Sequence, residues 1–486
     1  MRPIPSDRLR SEDHLVDVVK NSDRRKALVK SVQRKRSATY GTDGAHIGVV
    51  DVFHGETHFG VDAPAAVALD RAFRDLVSGA AKLTESDGTA YDKRSPRILR
   101  ELAARHLFDR LKDPAPNVPG VEVTPDEVVV CPYSSTMMLE EAFATVAEPR
   151  GFILSPEGFY KSNALHVAKY GLKIRTIPRA DSSFKLEPEK FRQAIQLVRR
   201  HGPLCAVLFT VPGNPIVVEY TLPELYALAQ VIADEDVRVI TDAGFDKCVE
   251  RYTPLASLRV KVGNFEVALY DHILTLTGNS KGYNAFGPCK FGAACTGDPD
   301  WRNALNERMT VLFQRETTHL ARALFEHTTE EYFAANRRTM QAQQELARSL
   351  VDGINQRNPP AAVRVFPPST SGMFLNIEFD ASFMARAGVK TSLVLEDMLL
   401  LAQGVDSTCL VRMGSPILAV RFNVLSPRKH GKKDPTLLHE VFNRVEAFVA
   451  NVRDGLTYET LTRSVGLNPI EQDDAGVWPS GVFKLT

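Results

Sequence analysis

Short runs of β-branched and other apolar residues alternate with amphipathic windows between about residue 50 and residue 300. Six of these runs predict strands: Val128–Cys131, Phe152–Ser155, Ala206–Val211, Val237–Asp242, Ile273–Thr277 and Phe291–Cys295. Most of them show little polar alternation, which is typical of strands that helices cover on both faces. The pattern therefore predicts an α/β fold with a mostly parallel sheet between helices.

Helix-start signals and a change of pattern after about residue 300 extend this prediction. Ser95 followed by Pro96 offers an N-cap and a first-turn proline, and Thr221 with Glu224 has capping-box spacing. A long helical stretch from 303 to about 355 precedes apolar runs at Val363–Phe366, Phe374–Glu378 and Ala419–Val424. We therefore expect a second, smaller α+β domain, as a chain of 486 residues also favours.

The chain divides into four predicted regions: a basic arm at 1–50, a large domain at 51–325, a small domain at 326–455 and a tail at 456–486. The first 40 residues hold 11 Lys and Arg against 5 Asp and Glu. This excess fits either an arm that touches phosphate or an acidic partner, or an amphipathic helix packed on the body. We prefer the packed helix.

Composition narrows the class of protein. Lys and Arg total 60 against 59 Asp and Glu, which argues against nucleic acid or a membrane surface as the main partner. No apolar run reaches the ~18 residues of a membrane span, and the start lacks the apolar segment of a secretory signal. Six scattered cysteines without a C-x-x-C pair favour reduced thiols. These features predict a cytoplasmic enzyme.

Four polar residues follow or lie within the predicted strands: Asn214, Asp242, Lys281 and Arg421. The carboxyl ends of neighbouring strands converge on one edge of an open α/β sheet, where ligands bind. An acid, an amine and an amide at that edge are what pyridoxal phosphate requires. The lysine forms an imine with the cofactor aldehyde and later acts as a base, and the carboxylate keeps the pyridine nitrogen protonated.

A phosphate site is predicted near the first strand of the set. Ser134, Ser135 and Thr136 follow Val128–Cys131 and place small hydroxyl groups at the expected start of a helix. A helix N-terminus with free N–H groups is a ready anion site. This segment is the candidate for the cofactor phosphate.

Simpler interpretations exist for each of these residues. Lys281 could be a solvated surface lysine, and Asp242 could cap a turn. Arg421 could form a structural ion pair, because an unpaired charge in an apolar strand is costly. The ordered set favours the cofactor interpretation over these alternatives.

A metal site is not predicted. His54 and His58 flank Glu56 at a spacing of four residues, but the order differs from His-Glu-x-x-His. Gly55 also disfavours the helix that would align the two rings.

The ordered motifs resemble the aminotransferase class I/II family, the fold-type I pyridoxal phosphate enzymes that include aspartate aminotransferase and 1-aminocyclopropane-1-carboxylate (ACC) synthase. The resemblance covers roughly residues 50–450 and includes Gly55 in a family turn, Asn214-Pro215 and Ser280-Lys281. It implies a large domain with a seven-stranded sheet, a smaller α+β domain, and a homodimer with shared active sites. It also implies a small-molecule amino acid substrate.

The resemblance assigns a role to each site residue. Lys281 would be the catalytic imine-forming residue, Asp242 would hold the pyridine nitrogen, and Asn214 the phenolic oxygen. The remaining cofactor contacts would be phosphate binding by Ser134, Ser135, Thr136, Ser280 and Lys290, ring stacking by Phe159 rather than Tyr160, and a reach to the neighbouring subunit's phosphate by Tyr91. Arg421 would hold the substrate α-carboxylate, with Gly55 beside it.

Two positions depart from the family pattern. Phe245 stands where the family has a tyrosine that bonds the phenolic oxygen, so we expect a less acidified imine. Lys290 replaces an arginine that grips the phosphate, and it supplies charge without a bidentate fork. Both departures leave room for specialised biosynthetic chemistry beside ordinary transamination.

Two alternatives stay open. The first is β- or γ-elimination or replacement on an amino acid such as S-adenosylmethionine, as in ACC synthase. The second is a catalytically silent regulator that kept the fold and uses its basic arm. Transamination alone would convert the cofactor to its amine form during a single turnover without keto acid.

Overall fold

The computed structural model describes residues 10–11, 15–39, 48–81, 95–178, 183–367, 371–470 and 472. Its helices are α1 Leu15–Thr39, α2 Ala63–Val77, α3 Arg97–His106, α4 Asp109–Lys112, α5 Ser135–Thr145, α6 Asn163–Lys169, α7 Pro188–His201, α8 Leu222–Asp234, α9 Pro299–Arg308, α10 Arg315–His327, α11 Glu330–Arg357, α12 Ala381–Ala385, α13 Ser392–Gln403, α14 Leu437–Arg453 and α15 Tyr458–Ser464. Its strands are β1 Arg10–Ser11, β2 Val50–Asp51, β3 Val128–Pro132, β4 Phe152–Pro156, β5 Lys173–Ile177, β6 Leu204–Thr210, β7 Val239–Asp242, β8 Arg259–Val262, β9 Phe265–Ala268, β10 Ile273–Gly278, β11 Phe291–Cys295, β12 Val363–Phe366, β13 Phe374–Phe379, β14 Val405–Asp406, β15 Thr408–Cys409, β16 Ala419–Asn423, β17 Arg428–Lys429 and β18 Lys432–Lys433.

The large sheet has the order β1-β5-β4-β6-β7-β10-β11-β3. Strands β5, β4, β6, β7 and β10 run parallel, while β11 is antiparallel to both of its neighbours. The predicted mostly parallel α/β sheet is therefore confirmed, with the two-residue β1 as an eighth strand beyond the seven expected. All six predicted strands of this sheet form, within two residues at either end.

Strand β5 was missing from the prediction. Its sequence alternates, with Lys173 exposed, Ile174 buried and Arg175 half-buried. This alternation arises because β5 lies next to the edge strand of the sheet, where one face is less covered than in the centre. The alternation of polar and apolar residues, with a period of two, was the signal in the sequence that indicated a strand here.

Helix boundaries agree with the sequence signals in part. The backbone N–H of Thr221 donates to the Glu224 carboxylate at 2.7 Å, which confirms the predicted capping interaction of α8. In α3, Pro96 takes the N-cap position instead of the first helical position, because its ψ of 128° is extended. The long helical stretch after residue 300 breaks into α9, α10 and α11.

Apolar side chains form one core on each face of the large sheet and a third core in the smaller part of the chain. The third core lies under the antiparallel sheet β12-β13-β16-β15. Helix α11 contributes Phe333 to a core of the large sheet and Ala347, Val351 and Ile354 to the third core. The α+β character of the smaller part is as predicted. The boundary predicted at 325 falls in the last turn of α10, and α11 joins the two parts.

Helix α1 contains most of the described part of the predicted basic arm. It packs against α13 and α6, and it buries Val18, Val19 and Val29. This arrangement is the packed helix rather than an extended arm. Of the predicted tail, residues 456–470 and 472 are described, and α15 lies against α13. None of the described helices has the length and apolar character needed to cross a membrane.

Candidate active site

A cavity of about 410 Å³ lies at the carboxyl ends of the parallel strands. The predicted site residues that line it are Gly55, Ser134, Ser135, Thr136, Asn214, Asp242, Ser280, Lys281, Lys290 and Arg421. The structure thus brings together residues that are separated by up to 366 positions in sequence, from Gly55 to Arg421.

The strand order explains this convergence. Asp242 is the last residue of β7, which pairs in parallel with β6 on one side and with β10 on the other. Asn214 follows β6, and Lys281 follows β10. Since parallel neighbours end at the same edge, the three side chains meet there. Arg421 reaches the same cavity from β16 of the smaller part.

Asp242 is a carboxylate without a cationic partner among the described residues. Its Oδ1 accepts the backbone N–H of Gly244 at 3.1 Å. Burial raises the pKa of Asp242, and the Gly244 hydrogen bond opposes this only in part. A desolvated carboxylate with one hydrogen bond is costly, and a cationic N–H donor in the cavity would offset that cost.

Lys281 is an amine held in a desolvated position. Its Nζ donates to the carbonyl oxygen of Gly55. Burial lowers the pKa of Lys281, nearby Glu56 opposes the shift, and the charge of Lys290 adds to it. A lowered amine pKa increases the fraction of neutral, nucleophilic lysine at neutral pH.

Arg421 and Asn214 form a hydrogen-bonded pair in the cavity wall. The Arg421 guanidinium donates to Asn214 Oδ1 at 2.5 Å, and it lies 4.2 Å from the centre of the Phe374 ring. Burial lowers the pKa of Arg421 to about 10, which leaves it charged at neutral pH. Because arginine only donates, the Asn214 oxygen must face it, and the amide nitrogen is left as a donor.

The backbone of residues 53–56 is tied to the same side chains. Its four carbonyl oxygens accept hydrogen bonds in turn from Arg421, Asn423, Lys281 and again Asn423. This segment therefore holds the amine and the guanidinium at one wall. Gly55, predicted from the family turn, contributes its carbonyl oxygen to Lys281.

The first turn of α5 forms an anion cradle. Ser134 occupies the N-cap position of this 11-residue helix, and its hydroxyl makes no capping hydrogen bond. The Ser280 hydroxyl is buried and has no partner among the described residues. Free hydroxyl groups and helix N–H groups aimed into one cavity suit a phosphate. Lys290 lines the same cavity and adds a positive charge.

Close backbone packing holds this cradle in place. A Cβ atom on Gly292 of β11 would lie 2.6 Å from the carbonyl carbon of Ser134. A Cβ on Gly278, at the end of β10, would lie 3.4 Å from the Ser135 nitrogen. Glycine at 292 therefore allows the helix start to approach the sheet edge.

The structure separates the two aromatic candidates for ring stacking. Phe159 is 1% exposed and packs in the core, where a Cβ on Gly414 would lie 2.5 Å from its ring. Tyr160 lines the cavity instead. The preference for Phe159 over Tyr160 therefore needs correction, because Phe159 is packed among core residues and Tyr160 is the aromatic side chain that the cavity exposes. Tyr91 lies outside the described residues.

The two departures from the family pattern both lie at the cavity. Phe245 lines it, with its ring centre 5.8 Å from Lys281 Nζ and 5.4 Å from the Phe374 ring centre. No hydroxyl is therefore present at position 245, as expected from the sequence. Lys290 lies near enough to Lys281 that its positive charge helps to lower the pKa of the Lys281 amine.

Sequence reasoning missed several charged residues of the cavity. His54 lines it with Nδ1 against the Asp51 carboxylate, and Lys161 lines it beside Tyr160. Glu56 also lines it and is paired with Arg428 and Lys433. No strand-end position or family motif marked Lys161, so the sequence carried no usable signal for it. Among the described residues, no group of three or more His, Cys, Asp or Glu is placed to hold a metal ion.

The residues present fit a ligand that combines a phosphate, a cationic ring nitrogen and an aldehyde. Each of these groups has a partner in the cavity. The free Ser280 hydroxyl suits the phosphate, the Asp242 carboxylate suits the cationic ring nitrogen, and the Lys281 amine suits the aldehyde. The fold and these groups therefore define the class of the protein: an α/β protein that binds a small ligand at the carboxyl edge of its sheet.

Comparison with known proteins identifies the family. The sequence profile described as aminotransferase class I and II matches residues 73–415, and the chain belongs to this family. Its solved neighbours share the fold-type I architecture. An aspartate aminotransferase from Thermotoga maritima aligns with a TM-score of 0.65 at 18% identity, over 87% of this chain and 97% of that one. A double mutant of the Thermus thermophilus aspartate aminotransferase aligns with a TM-score of 0.66 at 16% identity, over 87% and 96%.

The matches to curated relatives cover a smaller share of each chain than the matches to solved structures do. The aspartate aminotransferase of Bacillus subtilis (strain 168) is 24% identical over 45% of this chain and 50% of its own length. The chain thus spans about half the length of the curated relatives that it matches first. An aspartate/prephenate aminotransferase from Cereibacter sphaeroides is 24% identical over 66% of this chain and 74% of its own length.

Proposed function

We propose that this chain is a pyridoxal phosphate-dependent aminotransferase that acts on the α-amine of an amino acid. The observation that carries the proposal is the placement of Lys281, Asp242 and Arg421 around one cavity. When bound, the cofactor supplies an aldehyde for amines and a ring that withdraws electrons from the substrate α-carbon. Each of the three residues matches one requirement of that chemistry.

Asp242 holds a proton on the ring nitrogen. Its desolvated carboxylate accepts a hydrogen bond from that N–H, and the resulting ion pair compensates the burial that now raises the pKa of Asp242. The phosphate end would be held by Ser134, Ser135, Thr136, Ser280 and Lys290. Asp242 and the phosphate-side residues would hold the cofactor at its two ends.

Lys281 moves the substrate proton. Because burial lowers the pKa of this amine, the neutral form that can accept a proton from the α-carbon is more populated than for a solvated lysine. The Gly55 carbonyl oxygen accepts its hydrogen bond and aims Nζ into the cavity. Lys281 is therefore both the anchoring amine and the base.

Arg421 orients the substrate. Its guanidinium is anchored on Asn214 and on the Phe53 carbonyl oxygen, and a substrate α-carboxylate would add a charge-assisted pair. A fixed carboxylate places the α-carbon in a constant position relative to Lys281, which is the main benefit of orientation. The amide N–H of Asn214, which Arg421 leaves free, would donate to the phenolic oxygen of the cofactor.

The charges of the cavity favour transamination of an ordinary amino acid over elimination from a sulfonium substrate. Four cationic side chains line the cavity, namely Lys161, Lys281, Lys290 and Arg421. The carboxylate of Glu56 already has two cationic partners. Lys281, Lys290 and Arg421 are taken up by the cofactor and the α-carboxylate, so Lys161 is the cation that would repel a sulfonium such as that of S-adenosylmethionine.

A homodimer is part of the proposal. Tyr133 and Phe286 are 56% and 58% exposed, and both lie within four residues of the phosphate-side residues Ser134 and Lys290. Large exposed rings beside a site mark a surface that a partner covers. Light scattering in solution should then give twice the chain mass of 53.8 kDa. Tyr91 stays the candidate that reaches the neighbouring site.

The cytoplasm is the proposed compartment. All six cysteines are buried and free, which suits a reducing environment.

Borohydride reduction of the cofactor-loaded protein, followed by peptide mapping, tests the proposal. We expect the reduced cofactor on Lys281 in the wild type and in Lys185→Ala, and no label in Lys281→Ala. In a separate sample without borohydride, a single turnover with an amino acid and no keto acid should remove the absorbance band of the bound cofactor. Return of the band would indicate elimination, and a protein that never acquires the band would support the regulator alternative.

A further inference from the structure

The two histidines at positions 54 and 58 have no role in the chemistry proposed above. His54 lines the cavity, and its side chain is 42% exposed. His58 is not among the described residues that line the cavity, and its Nδ1 lies 3.0 Å from the carbonyl oxygen of Leu425. The two rings therefore have different surroundings, and only His54 borders the space that a substrate would enter.

The Asp51 carboxylate holds the His54 ring in one orientation. Its Oδ2 is hydrogen-bonded to His54 Nδ1, and its Oδ1 accepts the backbone N–H of Phe53 at 2.8 Å. Because an ionised carboxylate only accepts, Nδ1 must carry the proton of the neutral ring, and Nε2 keeps a free electron pair. No described residue forms a hydrogen bond with Nε2. A histidine that is oriented by a carboxylate and has its other nitrogen free is arranged as a general base.

The charged groups on the strands beside β2 are paired with other residues. Arg428 of β17 is the Cα partner of Asp51 on one side, and its guanidinium bonds the Glu56 carboxylate. Asp406 of β14 is the Cα partner on the other side, and it contacts two lysines of α1. Arg421 is close enough to interact with the charge of Asp51. Asp51 is therefore the carboxylate that can balance a protonated form of this histidine.

Residue 54 lies between the two anchor points proposed for the substrate. The carbonyl oxygen of Phe53 accepts from Arg421, and the carbonyl oxygen of Gly55 accepts from Lys281. Two residues of extended chain span about 7 Å, so these anchor points are close together. A substrate with its carboxylate at Arg421 and its α-carbon near Lys281 would lie along this stretch, with its amine beside His54.

The reaction needs a base before Lys281 can act on the α-carbon. An amino acid arrives with a protonated amine, and only the neutral amine is a nucleophile. The Lys281 nitrogen, once linked to the cofactor, can accept this proton only in its own unprotonated form. Phe245 offers no hydroxyl donor to the phenolic oxygen of the cofactor, so the linked nitrogen keeps its proton to higher pH. A further proton acceptor in the cavity would remove this obstacle.

The two carboxylates and the free lysine of the cavity are poorer acceptors than His54. Burial acts to raise the pKa of the Glu56 carboxyl, but its two cationic partners hold that pKa below its usual value, which makes Glu56 a weak base. Asp242 is taken up by the ring nitrogen of the cofactor. Lys161 is an ammonium group at 3.3 Å from Asp23.

We propose that His54, oriented by Asp51, is a catalytic base that takes the ammonium proton from the incoming amino acid. A bond forms between Nε2 and the proton as the N–H bond of the ammonium group breaks, and the electron pair of that bond stays on the substrate nitrogen. Asp51 balances the charge of the imidazolium, and the partly exposed ring returns the proton to solvent. This inference rests on the proposed function and adds a residue that acts before Lys281.

Stopped-flow absorbance of the cofactor-loaded protein with 2-aminoisobutyrate tests this step alone. This amino acid has a methyl group in place of the α-proton, so proton removal by Lys281 cannot follow. A positioned base contributes about 10²-fold or more, so the rate constant for the absorbance change at pH 7 should fall at least about tenfold in His54→Asn. The asparagine amide can still bond Asp51, which protects the local fold. The control His58→Asn should keep the wild-type rate.

Two further measurements separate a lost base from a disturbed structure. Added imidazole should restore the rate of His54→Ala in proportion to its concentration and should leave His58→Ala unchanged. In a Phe245→Tyr background, the loss caused by His54→Asn should be about threefold smaller. The reason is that a midpoint lowered by about half a unit gives the linked Lys281 nitrogen about threefold more of its unprotonated form.

Nitrogen-15 NMR of the cofactor-free protein tests the geometry without any reaction. The ring signals that disappear in His54→Asn belong to His54, and they should show the proton of the neutral ring on Nδ1. Asp51→Leu should shift the ring toward the Nε2–H form, which histidine prefers in water.

Three results would each overturn the inference: a wild-type rate in His54→Asn, no rescue of His54→Ala by imidazole, or a neutral His54 ring with its proton on Nε2. If borohydride labelling of Lys281 is normal in the same variants, the proposed function stands and only the role of His54 fails.

Discussion

The cofactor side and the substrate side of the cavity are built in different ways. On the cofactor side, Asp242, Lys281 and the start of α5 are placed by strand register and by apolar cores on both faces of the large sheet. On the substrate side, residues 53–56, Arg421 and Lys161 are placed by hydrogen bonds and ion pairs between distant segments.

The family profile matches the whole cofactor side but only part of the substrate side, where it includes Lys161. The profile covers 73–415, which contains the whole cofactor side. Helix α1, the 53–56 segment and Arg421 lie outside it. The difference teaches that strand register can place one side of a site, while the opposite wall depends on hydrogen bonds and ion pairs between segments that are distant in sequence. Segments held by ion pairs are also sensitive to substitution, because breaking a buried ion pair lowers the free energy of unfolding far more than breaking an exposed one.

The largest expected effect is on the cofactor side. Lys281→Ala removes both the anchoring amine and the base, so kcat/KM for any amino acid should fall by at least about 10³-fold. Steady-state kinetics on cofactor-supplemented protein measures this loss. Lys185→Ala, which removes a lysine remote from the cavity, should leave the rate unchanged. A Lys281→Ala protein with a comparable rate would show that another residue is the base.

The next effect concerns the substrate side and stability. Arg412→Met leaves Glu396 and Asp23 each with one partner fewer, in a region where Glu396 is 3% exposed. The free energy of unfolding should decrease by about 3 kcal/mol, measured by urea denaturation. The matched control is Arg74→Met, which breaks an exposed pair with Asp70 and should cost less than about 0.5 kcal/mol. Equal losses would mean that ion pairs do not hold this wall.

Asp242→Asn tests whether the buried Asp242 carboxylate lowers the stability of the protein when no cofactor is bound. Burial raises the folded-state pKa of Asp242, so the folded chain binds this proton more tightly than the unfolded chain. Proton binding by Asp242 therefore stabilises the folded chain below about pH 4. This stabilisation is lost as the pH rises through the folded-state pKa of Asp242.

Without cofactor, Asp242→Asn should therefore be more stable than the wild type at pH 7, by about 1 kcal/mol, and equal to it at low pH. With cofactor the order should reverse, because the carboxylate then has its cationic partner. Denaturation at several pH values, with and without cofactor, measures both effects. A variant less stable than the wild type in every condition contradicts this account of Asp242.

The smallest expected effect is at the departure from the family pattern. Phe245→Tyr adds a hydroxyl donor near the phenolic oxygen of the cofactor, which should lower the pH midpoint of the cofactor absorbance change by about half a unit. Phe374→Tyr, on the neighbouring ring, provides a comparison hydroxyl. A larger shift in Phe374→Tyr than in Phe245→Tyr would assign the phenolic oxygen to the other side of the cavity.

The residues proposed for the cofactor side could be picked out from the sequence, and the structure brings them to one cavity, because their signals are local. A strand that ends in Asp242, a turn that holds Asn214 and a motif that contains Lys281 are each visible within a few residues. Strand β5 escaped prediction because its alternation reflects its place near the sheet edge. The roles assigned to these residues stay predictions until the labelling experiment is done.

The sequence by itself determined the α/β class, the positions of Asp242 and Lys281 at or after the ends of strands, and the absence of a tyrosine at position 245. Only the tertiary structure decided that Tyr160 rather than Phe159 faces the cavity, and that Asp23 of α1 contacts Lys161 of the cavity wall. The reason is physical. Strand ends and turns follow from neighbouring residues, whereas the pairing of Asp23 with Lys161 and Arg412 depends on contacts between segments up to 389 residues apart.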